Sequence, residues 1–328
     1  VKNLRAGLVG LGMMGRHHAR VLASLPGVDF VGVSDPAGDI DGVAQGRPVF
    51  KSVAELIALD IDYAIVAVPT IFHLEVGTEL ATAGIHAMVE KPISQDTVTS
   101  KALARAFDKA GLVGAVGHIE RYNPALQEAR RRLGQLGSLY QVVTRRQGSF
   151  PTRIADVGVV IDLATHDIDL TAWITRQRYS SVSARTALRT GHEHEDLVAI
   201  IGTLQDGTIT NHLVNWLSPL KERVTIITGE KGAFVADTLT ADLTFYANGT
   251  VTSEWEGITQ FRGVSEGDVI RYAISKHEPL RVEHENFRDA VLGKSADIVT
   301  MEQGLATILV AEAVIESARI NQTIEIQS

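Results

Sequence analysis

The sequence predicts two domains: an α/β domain on a doubly wound parallel sheet over residues 1–120, then an α+β domain with a large, mostly antiparallel sheet over 121–328. Three observations carry this expectation. A chain of 328 residues suits two domains better than one. From Leu4 to His118, strand-like apolar runs alternate with helix-like stretches, the pattern of a parallel sheet covered on both faces. After His118 the rhythm changes to strand-like runs joined by tight-turn dipeptides.

The elements follow in order. Residues 4–9 form an apolar run that ends in a glycine cluster, and a helical stretch covers 15–25. Residues 30–34, 63–68, 87–90 and 113–117 read as further strands. The helix between the last two ends at Gly111, a residue type favoured just past a helix end. Asn123-Pro124 is a strong helix start, with Gly134 as the expected close. A second helix is expected over about 157–174, capped by Asp156. Asp206-Gly207 joins strands 196–204 and 208–217, and Asn248-Gly249 joins 243–247 and 251–255. Such pairs accept the positive φ of tight hairpin turns. A last long helix opens with Thr300 and Gln303 spaced as a capping box, and residues 323–326 are expected to add a final strand.

Composition narrows the function. Hydrophobic residues make up 45% of the chain, enough for a sizeable core. No stretch approaches about 18 uninterrupted apolar residues, so no membrane span is expected. The first strand starts at Leu4, which leaves no room for a signal peptide, and a cytoplasmic protein is expected. With no cysteine, disulfides, thiolate zinc sites and cysteine nucleophiles are excluded. The net charge is −8, and the densest basic patch, Arg130-Arg131-Arg132, points in different directions on a helix. Nucleic-acid binding is not expected. The histidine- and acid-rich residues 192–196 lie in a polar stretch and read as a solvated loop; no metal is expected.

Gly10-Leu11-Gly12-Met13-Met14-Gly15 is a G-x-G-x-x-G loop. It follows a strand, opens a helix, and is answered twenty residues later by Asp35 at the end of the next strand. Gly10 allows the tight turn, Gly12 lets backbone approach a pyrophosphate, and Gly15 lets helix pack on strand. The helix N-terminus faces the phosphates and the carboxylate binds the ribose hydroxyls. The set predicts a Rossmann dinucleotide site. No basic residue follows directly in Pro36-Ala37-Gly38 to receive a 2′-phosphate, which favours NAD; Arg47, in the following loop, leaves NADP open. Of His17 and His18 on the first helix, packing or exposure is the expected fate.

Further along stand Val68-Pro69-Thr70 with His73, then Glu90-Lys91-Pro92, then Asp162-Leu163-Ala164-Thr165-His166, and last Glu285-Asn286-Phe287. With the glycine loop, these resemble the glucose–fructose oxidoreductase/inositol dehydrogenase/MocA family over the entire chain. The resemblance implies that Lys91 and His166 flank the nicotinamide and the hydroxyl being oxidised. Val68, Pro69, Thr70, His73, Glu90 and Pro92 then line the cofactor. The residues agree with this reading. Lys91 ends a parallel strand, where open α/β sheets bind ligands, although a surface lysine before a turn proline looks the same. Asp162 and His166, four apart on a helix, share a face; an ordinary pair in which Asp steadies His also fits. The implied mechanism has His166 as general base and Lys91 stabilising the developing alkoxide. Asp162 orients the imidazole or binds a neighbouring hydroxyl.

The junction His118-Ile119-Glu120-Arg121-Tyr122-Asn123-Pro124, with Arg153 and residues 156–163, resembles the sugar-nucleotide branch of that family, which includes UDP-N-acetylglucosamine 3-dehydrogenases. His118, Arg121, Tyr122, Asn123 and Arg153 are its substrate candidates. Arg121 and Arg153 suit a diphosphate, and interdomain salt bridging explains them equally well. Three alternatives stay open: a free-sugar or inositol dehydrogenase, a dinucleotide-binding sensor without turnover, and a methyltransferase. The sensor has no use for both Lys91 and His166, and the methyltransferase leaves both motifs idle. The segment 208–217 is apolar on both faces, which predicts a homodimer or homotetramer covering one of them.

Overall fold

The computed structural model describes residues 3–150, 157–191, 193–249 and 266–326. Contacts divide the chain into two units. The first begins with β1 (Leu4–Val9), α1 (Met13–Leu22), β2 (Val28–Ser34), β3 (Val49–Phe50), α2 (Val53–Ile57), β4 (Tyr63–Val66), α3 (His73–Thr82), β5 (His86–Glu90), α4 (Thr97–Ala110) and β6 (Gly114–Gly117). Its six strands run in the order β3-β2-β1-β4-β5-β6, all parallel. Leu8, Ile65, Val66, Met88 and Val89 are fully or almost fully buried in strands covered on both faces. That is why β4 reads as a continuous apolar run rather than an alternation. The strand order reverses between β1 and β4, the crevice where open α/β sheets take their ligands. The first helix starts at Met13 rather than at Gly15, because Gly12 already caps it.

The second unit opens with α5 (Pro124–Arg131), β7 (Leu139–Ser149) and α6 (Thr165–Thr175). It continues with β8 (Tyr179–Ala187), β9 (Leu197–Leu204), β10 (Ile209–Asn215), β11 (Leu217–Gly229), β12 (Gly232–Asp237), β13 (Asp242–Asn248) and β14 (Glu266–Arg271). Asn123 caps α5 by accepting from Ala125 N–H, as its sequence position predicts. Gly134 does not close that helix. The helix stops at Arg131, Gly134 falls in a 3₁₀ turn over Leu133–Leu136, and Gly137 carries the positive φ of 70° that ends the segment. One wide π turn, Val160–Ala164, precedes α6. The expected cap Asp156 and the expected strand 251–255 lie outside the described residues.

The chain then returns to the first unit. Residues Glu278–Leu309 join it, including α7 (Pro279–Val291) and the first half of α8 (Met301–Ile320). The reason is apolar packing: Phe287 meets the edge of the Tyr63 ring at 5.5 Å, and Met301 and Ile308 enter the core around β4 and β5. Thr300 and Gln303 cap α8 reciprocally, each backbone N–H donating to the other's side chain. Val310, Ala311 and Val314, later on the same helix, pack in the second unit, where β15 (Ile324–Glu325) pairs with β8.

The nine-stranded sheet runs β14-β13-β12-β11-β7-β10-β9-β8-β15, and every neighbouring pair is antiparallel except β7 with β10. Its inner face packs on α5 and α6 through Val142, Ile227, Phe234, Ala129, Leu170 and Ile174. That face also carries polar groups. His212 bridges Thr144 Oγ1 and Tyr179 Oη at 2.8 Å each, and burial lowers its pKa to about 4. Of the three arginines at the end of α5, Arg130 lies over the Trp173 ring, Arg131 and Arg132 share Glu128, and Arg132 also lies over the Tyr272 ring. No helix among the described residues is long and apolar enough to cross a membrane.

Candidate functional site

The first unit carries the dinucleotide half. Gly10 turns at φ 95°, and a Cβ there would fall 2.5 Å from the Ala67 carbonyl oxygen. A Cβ on Gly15 would collide with the Gly10 carbonyl oxygen, whereas nothing lies within 4 Å of one on Gly12. Gly12 is therefore the point where the loop faces open space. No side chain caps the first turn of α1 and no acid sits in it, so its N–H groups are left at the positive end of a ten-residue helix. Met13 is exposed and Met14 half-buried beside them. Asp35 reaches back from the end of β2, its two carboxylate oxygens accepting Leu11 N–H and Ala37 N–H at 2.8 Å each. A carboxylate has about four acceptor sites, so capacity for ribose hydroxyls remains. These residues fit a dinucleotide.

Two cations, Arg47 and Lys51, are placed by tertiary contacts. Arg47 lies 5.8 Å over the Phe30 ring. Lys51, sixteen residues past Asp35, donates to the Pro36 carbonyl at 3.0 Å. The turn after Asp35 therefore has a basic neighbour that the local sequence does not show. Parallel pairing of Ser34 with Phe50 puts it there.

The family-implied cofactor residues behave differently from one another. Val68, Pro69 and Thr70 form the loop after β4, leading through a short 3₁₀ turn into α3. His73 is buried, with Nδ1 2.9 Å from the Pro92 carbonyl and Nε2 3.0 Å from the Val68 carbonyl. It ties two loops together, so its part in the site is to shape them. Glu90 is also turned inward, with one carboxylate oxygen 2.8 Å from His18 Nε2 and the other accepting Lys91 N–H at 3.0 Å. Gly117 leaves room for it, since a Cβ there would stand 3.2 Å from the carboxyl carbon. Burial pushes the Glu90 carboxyl up, but His18 and Lys91 outweigh that and hold it below the usual range. Lys91 is half-buried, and its bond to Pro92 is cis.

A wider cluster lies behind Glu90 that the sequence reading missed. His18 Nδ1 is 2.8 Å from His284 Nε2, and the Glu283 carboxyl beside it is buried with no hydrogen-bond partner among the described residues. Burial, with Glu90 adding to it, drives the Glu283 carboxyl well above the ordinary range. Burial, with His18 adding to it, drives the His284 imidazole well below its own. The separation of 266 residues between His18 and His284 hides the pair from any motif.

The second unit carries the candidate acid–base residues. Asp162 lies in the wide turn and is half-buried; His166 is buried in the first turn of α6. π turns of this kind recur at functional sites. The next acids on the helix are locked from behind. Asp167 accepts Arg146 Nε at 2.8 Å, and Asp169 accepts Arg121 Nε at 2.7 Å and Nη2 at 2.6 Å. Arg146 also donates to Glu120 at 2.9 Å. Burial pulls the Arg146 guanidinium down, but Asp167 and Glu120 outweigh that and hold it above its ordinary value.

The substrate candidates at the junction divide likewise. Arg121 is buried with its fork on Asp169 in its own unit, so the salt-bridge reading fits it better than diphosphate recognition, and the bridge is not interdomain. Asn123 is spent on capping and on the Thr238 carbonyl at 3.0 Å. His118 and Tyr122 are buried. Arg153 lies outside the described residues, as does His192. Glu195 and Asp196 are not loop acids in solvent. Glu195 accepts Val160 N–H at 3.1 Å, and Asp196 is buried and accepts Arg189 N–H and Thr190 N–H at 2.7 Å.

A doubly wound sheet with this loop and this carboxylate defines a Rossmann dinucleotide-binding protein. Residues 4–118 match a family model described as an oxidoreductase family with an NAD-binding Rossmann fold, and residues 133–326 match the C-terminal alpha/beta domain of the same family. The chain belongs to the glucose–fructose oxidoreductase/inositol dehydrogenase/MocA family. It is 32% identical over 213 residues to a UDP-N-acetylglucosamine 3-dehydrogenase of Acidithiobacillus ferrooxidans, covering 64% of this chain and 66% of that protein. It is 31% identical over 192 residues to a scyllo-inositol 2-dehydrogenase (NAD(+)) of Bacillus subtilis, covering 55% of this chain and 56% of that one. The matched segments thus span under two thirds of either relative. A solved structure of the Acidithiobacillus ferrooxidans enzyme superposes with a TM-score of 0.86 at 27% identity, covering 98% of this chain and 99% of that one.

Proposed function

We propose that the protein is an NAD-dependent dehydrogenase that oxidises a ring secondary hydroxyl of a nucleotide sugar, with UDP-N-acetylglucosamine as the model substrate. The observation that carries this is that a chain of this family bears both Glu90-Lys91-Pro92, at the end of β5 in the first unit, and Asp162 with His166, in the wide turn and the first turn of α6 in the second. Bound NAD supplies the hydride acceptor. His166 takes the hydroxyl proton, Lys91 holds the developing alkoxide, and Asp162 orients the imidazole or binds a neighbouring hydroxyl. The 32% identity to a UDP-N-acetylglucosamine 3-dehydrogenase supports the substrate class. The 31% identity to an inositol dehydrogenase supports the second reading, a polyol substrate.

The test is to compare UDP-N-acetylglucosamine, its uronate, free N-acetylglucosamine and myo-inositol, with NAD and purified protein. The nucleotide sugars are expected to turn over fastest, and UDP to inhibit them competitively. Faster turnover of a free polyol without inhibition by UDP would reject the nucleotide-sugar assignment and keep the dehydrogenase.

The same reading includes a homo-oligomer. The outer face of the nine-stranded sheet leaves Ile201, Ile209, Tyr246 and Val269 exposed, with Val143 and Ile226 half-buried between them. An apolar face of this breadth needs cover, and a second copy of the sheet supplies it. Light scattering at micromolar concentration is expected to give a dimer or tetramer; a monomer would remove the argument.

A further inference from the structure

Arg223 stands on β11 directly opposite Arg146 on β7, so two guanidinium groups share the inner face of the second unit's sheet. Their situations differ. Arg146, with 3% of its side chain exposed, is held by Asp167 at 2.8 Å and Glu120 at 2.9 Å. Arg223, with 26% exposed, has one ion-pair partner among the described residues, the Glu120 oxygen that Arg146 already holds, and that at 3.5 Å. Its guanidinium makes no hydrogen bond to a described residue. Burial first, then repulsion from Arg146, presses its pKa below the ordinary arginine value, while Glu120, Asp167 and Asp162 act in the opposite direction. Arginine nonetheless keeps its charge in proteins.

A partly buried guanidinium with its donors unspent is costly, and such a group calls for a partner that completes it. Solvent reaches Arg223 but hardly reaches Arg146, so only Arg223 can receive a ligand. Its strand neighbour Arg146 holds Asp167, the residue after His166, so Arg223 belongs to the same neighbourhood as the start of α6.

We infer that Arg223 binds an oxyanion of the substrate, a carboxylate or a phosphate, through charge-assisted hydrogen bonds from its free fork. It is the binding cation that the sequence reading sought in Arg121, whose fork is already taken. The inference rests on the proposed function in one respect, that Asp162 and His166 face the substrate.

The test uses the full chain with Arg223→Met and Arg223→Lys. For an anionic substrate, Arg223→Met is expected to raise KM by roughly tenfold to a hundredfold while kcat stays within a few-fold, as loss of uniform binding does. Arg223→Lys is expected to restore part of it, a point charge without the fork. The melting temperature of Arg223→Met is expected to stay level or rise, since an under-compensated buried charge is removed. A fall instead would mark Arg223 as a structural partner of Glu120 and overturn the inference.

Two inhibitors separate the sources of the oxyanion. Pyrophosphate inhibition that is lost in Arg223→Met assigns a phosphate, and glucuronate inhibition that is lost assigns a carboxylate. If the variant oxidises the nucleotide sugar with unchanged KM and unchanged inhibition by both, the inference fails and the nucleotide-sugar reading stands. If the wild type turns over a free sugar acid but no nucleotide sugar, and Arg223→Met raises KM for that acid, the inference stands and the nucleotide-sugar reading fails. Turnover of neutral polyols alone, with no inhibition by either anion, overturns both.

Discussion

Lys91→Met and His166→Ala each lower turnover on the sugar substrate by about two orders of magnitude or more, in line with the usual size of electrostatic and general-base contributions. NAD affinity stays within a few-fold of wild type in both variants. The two effects are expected to separate because the proposed pyrophosphate and ribose contacts lie on the Gly10–Gly15 loop and Asp35, which neither substitution touches. Lys91 carries its charge at the end of a strand whose preceding residue, Glu90, is fixed by His18, so removing the ammonium leaves the turn itself supported. His166 sits on a helix anchored on either side of it by buried contacts, so truncation to Ala leaves the helix in place. Steady-state rates with NAD in excess, together with fluorescence titration of NAD, check both halves. Near wild-type turnover by His166→Ala would mean that another group is the base, with Tyr122 and His118 next in line.

Asp167→Ala destabilises the protein by about 3–5 kcal/mol, the usual cost of removing one partner from a buried ion pair. The size follows from what is left behind. Arg146 keeps its charge, has almost no access to solvent, and retains only Glu120, which Arg223 also faces. Denaturant unfolding measures this directly. A loss below about 1 kcal/mol, the range of surface pairs, would show that Arg146 relaxes to water and that the cluster is not a fixed support for α6. Asp167→Asn keeps a hydrogen-bond acceptor and is expected to fall between the two.

The dinucleotide half was legible in sequence because its signals are contiguous. The loop Gly10–Gly15, the acid Asp35 and the buried runs of β1, β4 and β5 each announce themselves within a short window. The two-residue strand β3 does not, since it has no period to detect, and with it went the placement of Lys51. The second sheet was harder for a physical reason. Along β7 the inward positions include Thr144 and Arg146, and along β11 they include Arg223 and Thr225, so apolar alternation fails where polar groups face the core. The hairpin signal at Asp206-Gly207 joins β9 to β10 as read, whereas the one at Asn248-Gly249 does not give the expected pairing, because β13 takes its partners from β12 and from residues 266–271.

Gly134 was misread because glycine marks helix ends only on average, and here a 3₁₀ turn carries the chain on to Gly137. The return of residues Glu278–Leu309 to the first unit, and the His18–His284 contact it creates, depend on tertiary packing across most of the chain's length. Asp162 and His166 could be named from their spacing and the family resemblance. Their supports, Arg146, Asp167 and Asp169 with Arg121, could not, because each partner lies on a separate element.

The source of the hydride tests the proposed dehydrogenation most directly. UDP-N-acetylglucosamine bearing deuterium at each ring carbinol carbon, incubated with the protein and NAD, should yield reduced nicotinamide that carries deuterium, together with a keto nucleotide sugar, both seen by mass spectrometry. Formation of no reduced nicotinamide, or of reduced nicotinamide without deuterium, would contradict it.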